Sequence, residues 1–149
     1  KIEGSPYTLT VDQGLHYIVG IPTANMPTGS ASYTLIGKTA PTDSTGGWAP
    51  GVLNSASLSA NFDAATVSAG ISVSIGGYTM NLSGSGTISG PTFVGTISSF
   101  AGACASGCSG TLFGGFYGDA AARAGFAYSF GNSDIAGKMF DGTAAFAKQ

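Results

Sequence analysis

Apolar and polar residues alternate along most of the chain, and the pattern is clearest between residues 58 and 82. Three runs, at 58–62, 67–75 and 78–82, carry an apolar or small residue at every second position, which is the side-chain period of a β-strand. Gly76 and Gly77 separate the last two runs and indicate a two-residue hairpin turn. The sequence therefore predicts an antiparallel meander with one apolar face. That face is expected to carry Leu58, Ala60, Phe62, Val67, Ala69, Ile71, Val73, Ile75, Tyr78, Met80 and Leu82.

Shorter alternating runs on both sides of the meander predict further strands. They lie at residues 7–11, 15–21, 31–37, 93–97, 112–117, 126–130 and 143–148, and the run at 15–21 has apolar residues on both faces. The stretch 39–51 is rich in Gly and Pro and is interpreted as a loop. Roughly eight to ten evenly spaced strands without a long helix indicate an all-β fold, a single antiparallel up-and-down β-barrel of about eight strands. Closure into a barrel also removes exposed strand edges.

Residues 109–130 contain two strand-like runs that are joined by a corner of small residues. Gly118 can adopt a positive φ that is closed to most other residues. Asp119 is expected to cap one short helical turn near residues 119–124, and Gly125 returns the chain to an extended conformation. The corner therefore predicts a close pairing of the two runs that closes the barrel.

The corner also resembles the closing motif of the transferrin-binding-protein-B-like β-barrels, which reads approximately G-x-F-Y-G-P-x-A-x-E-x-G-G-x-F. The matching positions are Gly115, Phe116, Tyr117, Gly118, Ala121 and Gly125. Asp119 stands in place of the usual Pro, Arg123 in place of an acidic residue, and Phe126 in place of the second Gly. Residues 15–27 are in addition similar to barrel modules that occur downstream of FecR-type domains.

The resemblance implies a C-terminal barrel domain of a Gram-negative surface lipoprotein, located at the cell surface or in the periplasm. Members of the family bind host iron proteins, haem or complement regulators, which implies a binding module with a role in iron or haem acquisition. Their ligand-contacting motifs have no residue-by-residue match in this chain, so the ligand does not carry over. We expect residues 1–149 to form a single barrel domain, as a mature or excised part of a longer precursor.

The composition narrows the setting and the partners. Only 8% of the 149 residues are charged, and the net charge is −2 with 5 Lys and Arg residues together, so no basic stripe is available for nucleic acid. No apolar run reaches the roughly 18 residues that a membrane helix needs. One face of most predicted strands carries Ser, Thr and Gly, which favours a soluble barrel with an apolar interior over a membrane-spanning barrel.

The two cysteines, Cys104 and Cys108, are separated by three residues in a stretch rich in Gly and Ser. This spacing fits neither the redox C-x₂-C motif nor half of a paired zinc site. A local disulfide is the main interpretation, and it indicates an oxidising compartment. Two free thiols in a loop remain the alternative.

The sequence contains no catalytic constellation, and we expect no enzymatic activity, no cofactor and no metal site. His16 is the only histidine, and we interpret it as a strand residue that forms hydrogen bonds or faces solvent, with haem ligation as the functional alternative. Met26, Trp48 and Phe140 lie in predicted loops, where exposed side chains of this kind suit a binding surface. The alternative is that these three residues plug the ends of the barrel.

These observations leave two functional hypotheses. The first is a non-catalytic extracytoplasmic module whose barrel-end loops bind a protein or a small ligand. The second is a structural subunit of a self-assembling bacterial surface layer or fibre, because low charge weakens the repulsion between neighbouring copies. Self-association in solution would distinguish the two.

Overall fold

The computed structural model describes residues 8–99, 102–105, 107–132, 135 and 137–149, so the first residue of the predicted strand at 7–11 lies outside the described residues. The strands are β1 (Ser30–Lys38), β2 (Thr42–Asp43), β3 (Val52–Asn61), β4 (Thr66–Ile75), β5 (Tyr78–Ser89), β6 (Thr92–Ser99), β7 (Cys108–Tyr117), β8 (Arg123–Asn132) and β9 (Lys138–Lys148). Two short 3₁₀ turns lie at Gly102–Cys104 and Asp119–Ala121.

The strands form a closed antiparallel barrel. β1 pairs with β3, each strand from β3 to β8 pairs with the next one along the chain, and β1 pairs with β9 to close the sheet. At the closure Tyr33 lies opposite Lys148. The two-residue β2 lengthens the same edge of β9, with Thr42 opposite Asp141. The structure confirms the predicted all-β, up-and-down barrel with eight main strands.

Side chains fill the interior of the barrel. The alternating apolar residues of β4 are each at most 8% exposed, as the sequence predicts. Tyr78 is 42% exposed because it begins β5, and Phe62 is half-buried because it lies in the turn just after β3. The largest buried rings, Phe93, Phe116, Phe126, Phe130, Phe140 and Phe146, all belong to β6–β9. The core is therefore aliphatic at β4 and aromatic on the side of the last four strands.

The corner between β7 and β8 depends on one glycine. Gly118 has φ 74° and ψ −173°, a conformation essentially restricted to glycine, which confirms the predicted positive φ. The predicted cap is wrong, because Gly118 occupies the cap position and the exposed Asp119 forms no capping hydrogen bond within the described chain. The buried hydroxyl of Tyr33 instead holds the turn by donating to the carbonyl of Ala121 at 2.9 Å.

The two strands predicted upstream of residue 22 are absent from the described structure, and those predictions are wrong. Residues 8–21 instead form a segment outside the barrel that turns at residues 11 and 12 and contains no strand. Each of the eight long strands already has a neighbour on both sides, and this segment adds only an isolated bridge, from Pro22 to Tyr117 at the end of β7. The segment is attached at its end, where the backbone of residues 21–23 exchanges hydrogen bonds of 2.9–3.0 Å with Phe116 and Gly118.

Cys104 and Cys108 form a disulfide that closes the short connection between β6 and β7. Both residues are completely buried. The local pairing expected from their spacing is thus confirmed. No helix among the described residues is long and apolar enough to cross a bilayer.

Candidate functional site

A cleft of about 500 Å³ lies on the flank of the barrel, between the N-terminal segment and the outer face of the sheet. Its floor consists of residues in β7, β8 and β9, and its walls come from residues 9–16 and 42–44. We call this the flank cleft, and the residues that give it its chemical character are Leu9, Leu15, His16, Phe113, Ala127 and Asp141.

His16 anchors one wall of the flank cleft to the barrel. Its Nδ1 lies 2.8 Å from the hydroxyl of Thr39, and its Nε2 lies 2.8 Å from the hydroxyl of Thr42. Burial lowers the pKa of the imidazole, and the charge of Asp141 offsets part of this effect. Since both ring nitrogens are engaged, ligation of haem or a metal would cost His16 a hydrogen bond. Among the described residues no group of three His, Cys, Asp or Glu side chains could hold a metal ion.

Asp141 is one of two aspartates that line the flank cleft, and the other is Asp43. Asp141 lies in β9, opposite Ser129 of β8 and Thr42 of β2, and it is half-buried. Within the part of the chain that the structure describes, this carboxylate makes no hydrogen bond and no ion pair. A partly desolvated carboxylate without a partner is a candidate for contact with an external cation.

The floor of the flank cleft also carries an exposed aromatic ring. Phe113 of β7 is 60% exposed and lies opposite Val94 of β6, which is 55% exposed. On its other side Phe113 lies opposite Ala127 of β8, whose small side chain leaves space in the cleft beside the ring. Exposed aromatic and aliphatic side chains that are grouped in this way are typical of an interaction surface.

Four apolar side chains lie along one side of the N-terminal segment. Leu15, Tyr17, Val19 and Ile21 are 68%, 71%, 84% and 84% exposed, and their spacing of two places them on one side of an extended chain. We call these four residues the apolar strip. Because Leu15 also lines the flank cleft, the strip and the cleft form one continuous surface.

Two glycines allow the N-terminal segment to lie close against the barrel. A Cβ at Gly125 would lie 2.7 Å from Cδ1 of Ile18, and a Cβ at Gly20 would lie 2.6 Å from Cδ1 of Tyr117. Gly125 and Tyr117 belong to the motif that resembles the transferrin-binding-protein-B-like barrels. Part of that motif therefore seats this segment, in addition to forming the corner.

Trp48 closes one end of the barrel. Its indole stacks on both Tyr78 and Phe140, with ring centroids 5.7 Å apart in each pair, and Nζ of Lys138 lies 5.0 Å from the centre of the indole. Gly76 leaves room for the ring, because a Cβ at that position would overlap it. The half-buried Trp48 thus has the plugging role that the sequence left open as the alternative.

A buried ion pair fixes the loop beside Trp48. The side chain of Asp43 is completely buried, and its Oδ2 lies 2.5 Å from Nζ of Lys138. The N–H groups of Thr45 and Gly47 donate to the same carboxylate at 2.9 and 3.1 Å. Burial opposes the charged form of Asp43, but the hydrogen bonds from Lys138 and the loop outweigh it and lower the pKa to about 2.

The other predicted site residues are distributed over the molecule. Met26 is half-buried and packs against the hydrophobic core. Phe140 lies inside β9 and is completely buried, so its predicted position in a loop is wrong. The pattern concealed this strand because Gly142 interrupts the apolar face next to Phe140. The structure brings Trp48 and Phe140 into contact, whereas His16 lies on the flank. Ligand binding by His16, Met26, Trp48 or Phe140 stays a prediction.

Sequence reasoning missed Asp141, Phe113 and the outward orientation of the apolar strip. The run at 15–21 did indicate an exposed apolar surface, because it has apolar residues on both faces and a chain that is buried on one side needs only one apolar face. The structure exposes the face with Leu15, Tyr17, Val19 and Ile21. Asp141 carried no comparable signal, since its lack of a partner depends on residues that only the fold places around it.

The barrel is similar to parts of solved Transferrin Binding Protein B structures. A tryptophan-to-alanine variant of this vaccine antigen from Haemophilus parasuis Hp5 covers 87% of the chain, with a TM-score of 0.61 and 19% identity. The isotype 1 protein from serogroup B Neisseria meningitidis covers 88% of the chain, with a TM-score of 0.60 and 16% identity. The chain has the fold of a Transferrin Binding Protein B barrel.

This likeness concerns the fold alone. The chain spans 28% and 27% of the length of these two proteins, so it corresponds to one part of each. No protein-family model and no curated protein matches the sequence. The fold resemblance that the corner motif predicted is confirmed. Transferrin binding is a property of the solved proteins and not a finding for this chain.

Proposed function

We propose that this barrel is a non-catalytic recognition module that binds a partner through its outer surface. The observation that carries the proposal is the apolar strip, whose four side chains are at least 68% exposed and are held against a closed barrel. Contiguous exposed apolar surface of this kind marks interaction sites in proteins. A rigid scaffold that presents such a segment reduces the entropy lost on binding.

Several properties support an extracytoplasmic location for the module. A buried disulfide suits an oxidising compartment, and the fold is the one found in Transferrin Binding Protein B. We propose that residues 1–149 act as one domain of a longer precursor at the surface or in the periplasm of a Gram-negative bacterium. A role in iron or haem acquisition belongs to the same proposal and rests on the resemblance alone.

A structural subunit of a surface layer or fibre is the second candidate. The observation that favours it is again the exposed apolar strip, because a surface that binds a partner can also join copies of one chain. The low proportion of charged residues, 8%, would weaken repulsion between such copies.

Light scattering over a range of protein concentrations, from micromolar to millimolar, separates the two candidates. A monomer throughout the range supports the recognition module. Large ordered assemblies would contradict it and support the structural subunit. In that case Val19→Ser, which places a hydroxyl in the apolar strip, should reduce the assembly.

A further inference from the structure

We propose that the flank cleft receives a basic side chain, Lys or Arg, of a protein partner whose neighbouring apolar residues cover the apolar strip. The proposal rests on the recognition function given above and adds the place and the chemistry of the contact. It moves that contact from the loops at the barrel ends to the flank, where Asp141, Phe113 and Leu15 line one cleft.

The charge of the cleft determines the charge of the partner group. Asp141 is half-buried and has no hydrogen-bond or ion-pair partner among the described residues. The described cations of the chain are all engaged elsewhere: Lys138 with Asp43, Lys38 with the carbonyl of Leu53, Lys148 with that of Ala120, and Arg123 with that of Ala122. Among the described residues no cation is therefore left to pair with Asp141, which is open to a cation from a partner molecule.

The floor of the cleft fits the aliphatic part of a Lys or Arg side chain. Asp141 and Phe113 stand two strands apart and two residues apart along the strands, which places their Cα atoms about 12 Å from each other at ordinary sheet spacings. Ala127 lies next to Phe113 in the strand between them. A basic side chain can thus lay its methylene groups over Ala127 and direct its charged end to Asp141. An apolar neighbour of that residue would then pack on Phe113.

The size of the apolar surface favours a protein over a small cation. A small molecule could fill the cleft of about 500 Å³, but it would leave the apolar strip exposed. From Leu15 to Ile21 the strip covers about 20 Å of extended chain. A protein surface can cover both regions, and Arg is among the residues enriched at interface hot spots, where surrounding contacts exclude water.

Selection of a random peptide library on the intact, immobilised chain tests the proposal. The selected peptides should share a Lys or Arg with apolar residues close to it. Replacing that basic residue by Gln in a selected peptide should weaken its binding about tenfold or more, as expected when a hydrogen bond to a charged group is lost. Selected peptides without a common basic residue, or equal binding of the Gln peptide, would overturn the proposal.

Variants of the chain identify the surface that the peptides occupy. Asp141→Asn keeps the shape of the side chain and should cause a similar tenfold loss, with little further loss for the Gln peptide, because the two changes remove one interaction. Val19→Ser should also weaken binding. Ile36→Ser is the matched control, since Ile36 is 58% exposed on β1, and it should leave the affinity unchanged. The melting temperatures of the variants verify that each one is folded.

The outcomes distinguish a failure of this proposal from a failure of the recognition function. Peptide binding that survives Asp141→Asn and Val19→Ser but is lost in Trp48→Ser would place the contact at the barrel end. The flank proposal would then be wrong and the recognition function would stand. A chain that selects no peptide and forms ordered assemblies would contradict both.

Discussion

Ile18 packs directly on Gly125, and a Cβ at residue 125 would lie 2.7 Å from Cδ1 of the isoleucine. This contact holds the N-terminal segment against the outer face of β8. Together with the backbone hydrogen bonds of residues 21–23, it fixes which side of the segment faces the barrel. The outward orientation of the apolar strip therefore depends on the absence of a side chain at residue 125.

Gly125→Ala should displace the N-terminal segment without unfolding the barrel. The added methyl group must push Ile18 away, whereas Gly125 itself has an ordinary strand conformation that alanine can adopt. We expect faster hydrogen exchange at the amides of Thr23 and Gly118, whose hydrogen bonds attach the segment to the barrel, and a change in barrel stability of about 1 kcal/mol or less. Gly37→Ala is the control, because a Cβ there has only an ordinary contact, 3.7 Å from Cβ of Ala145. Unchanged exchange in Gly125→Ala would show that other contacts hold the segment.

Ile71→Asp should abolish folding, whereas Ser72→Asp should have little effect. Ile71 is 3% exposed in the barrel core, where an unpaired carboxylate has no partner. Ser72 lies on the opposite face of β4, beside Asn81 of the neighbouring strand, and such surface changes usually cost less than about 0.5 kcal/mol. Circular dichroism and thermal melts check both variants. Equal effects would mean that the faces of β4 are assigned wrongly.

The contrast between β4 and the N-terminal segment shows what the sequence could predict. In residues 67–75 one apolar face meets the core and one small polar face meets solvent, so a period of two identifies the strand and its orientation. Residues 15–21 have the same period, but an extended chain outside the barrel shares it with a strand. Their orientation depends on Gly125 and Tyr117, about a hundred residues away in sequence. The period of two therefore cannot predict which side of residues 15–21 faces the barrel.

The position of Phe140 was missed for a related reason. Its neighbour on the core face, Gly142, contributes no side chain, because Tyr128 of β8 occupies the space beside it. The alternation of apolar residues along β9 does not show that a side chain of β8 fills the core position at Gly142. Asp141, which lies between the two, stays exposed to the flank cleft for reasons that only the assembled sheet provides.

Acidification should destabilise the barrel through Asp43. Its pKa is lowered from 3.8 to about 2 in the folded chain, so the folded state favours the ionised carboxylate. The resulting stabilisation, about 2 kcal/mol, is present above pH 4 and is lost as the pH falls from about 4 to 2. Urea unfolding at a series of pH values measures this loss.

Asp43→Asn should remove that part of the pH dependence. The exposed Asp119, which has no capping hydrogen bond among the described residues, offers the matched control. Asp119→Asn should retain the full loss of stability between pH 4 and 2. A wild-type slope in Asp43→Asn would assign the acid sensitivity to other carboxylates.

Tyr128→Phe should stabilise the protein. The hydroxyl of Tyr128 is buried and has no hydrogen-bond partner among the described residues, and burial together with the charge of Asp141 raises its pKa. Removing an unsatisfied polar group while keeping the ring should increase the free energy of unfolding by up to about 1 kcal/mol. A higher melting temperature is the expected result, and a lower one would show that the hydroxyl has a partner.

Gly118→Val should cost much more stability than Arg123→Ala. Gly118 has φ 74° and ψ −173°, where a β-branched residue is strained by about 1–3 kcal/mol or more. The exposed Arg123 donates one hydrogen bond, of 3.0 Å, to the adjacent carbonyl of Ala122, and an exposed charge of this kind is usually worth less than about 1 kcal/mol. Thermal melts of the two variants decide the matter. If Gly118→Val melts like the parent chain while Arg123→Ala collapses, the corner is held by charge instead of by backbone geometry, and the motif at Gly115–Gly125 loses its physical basis.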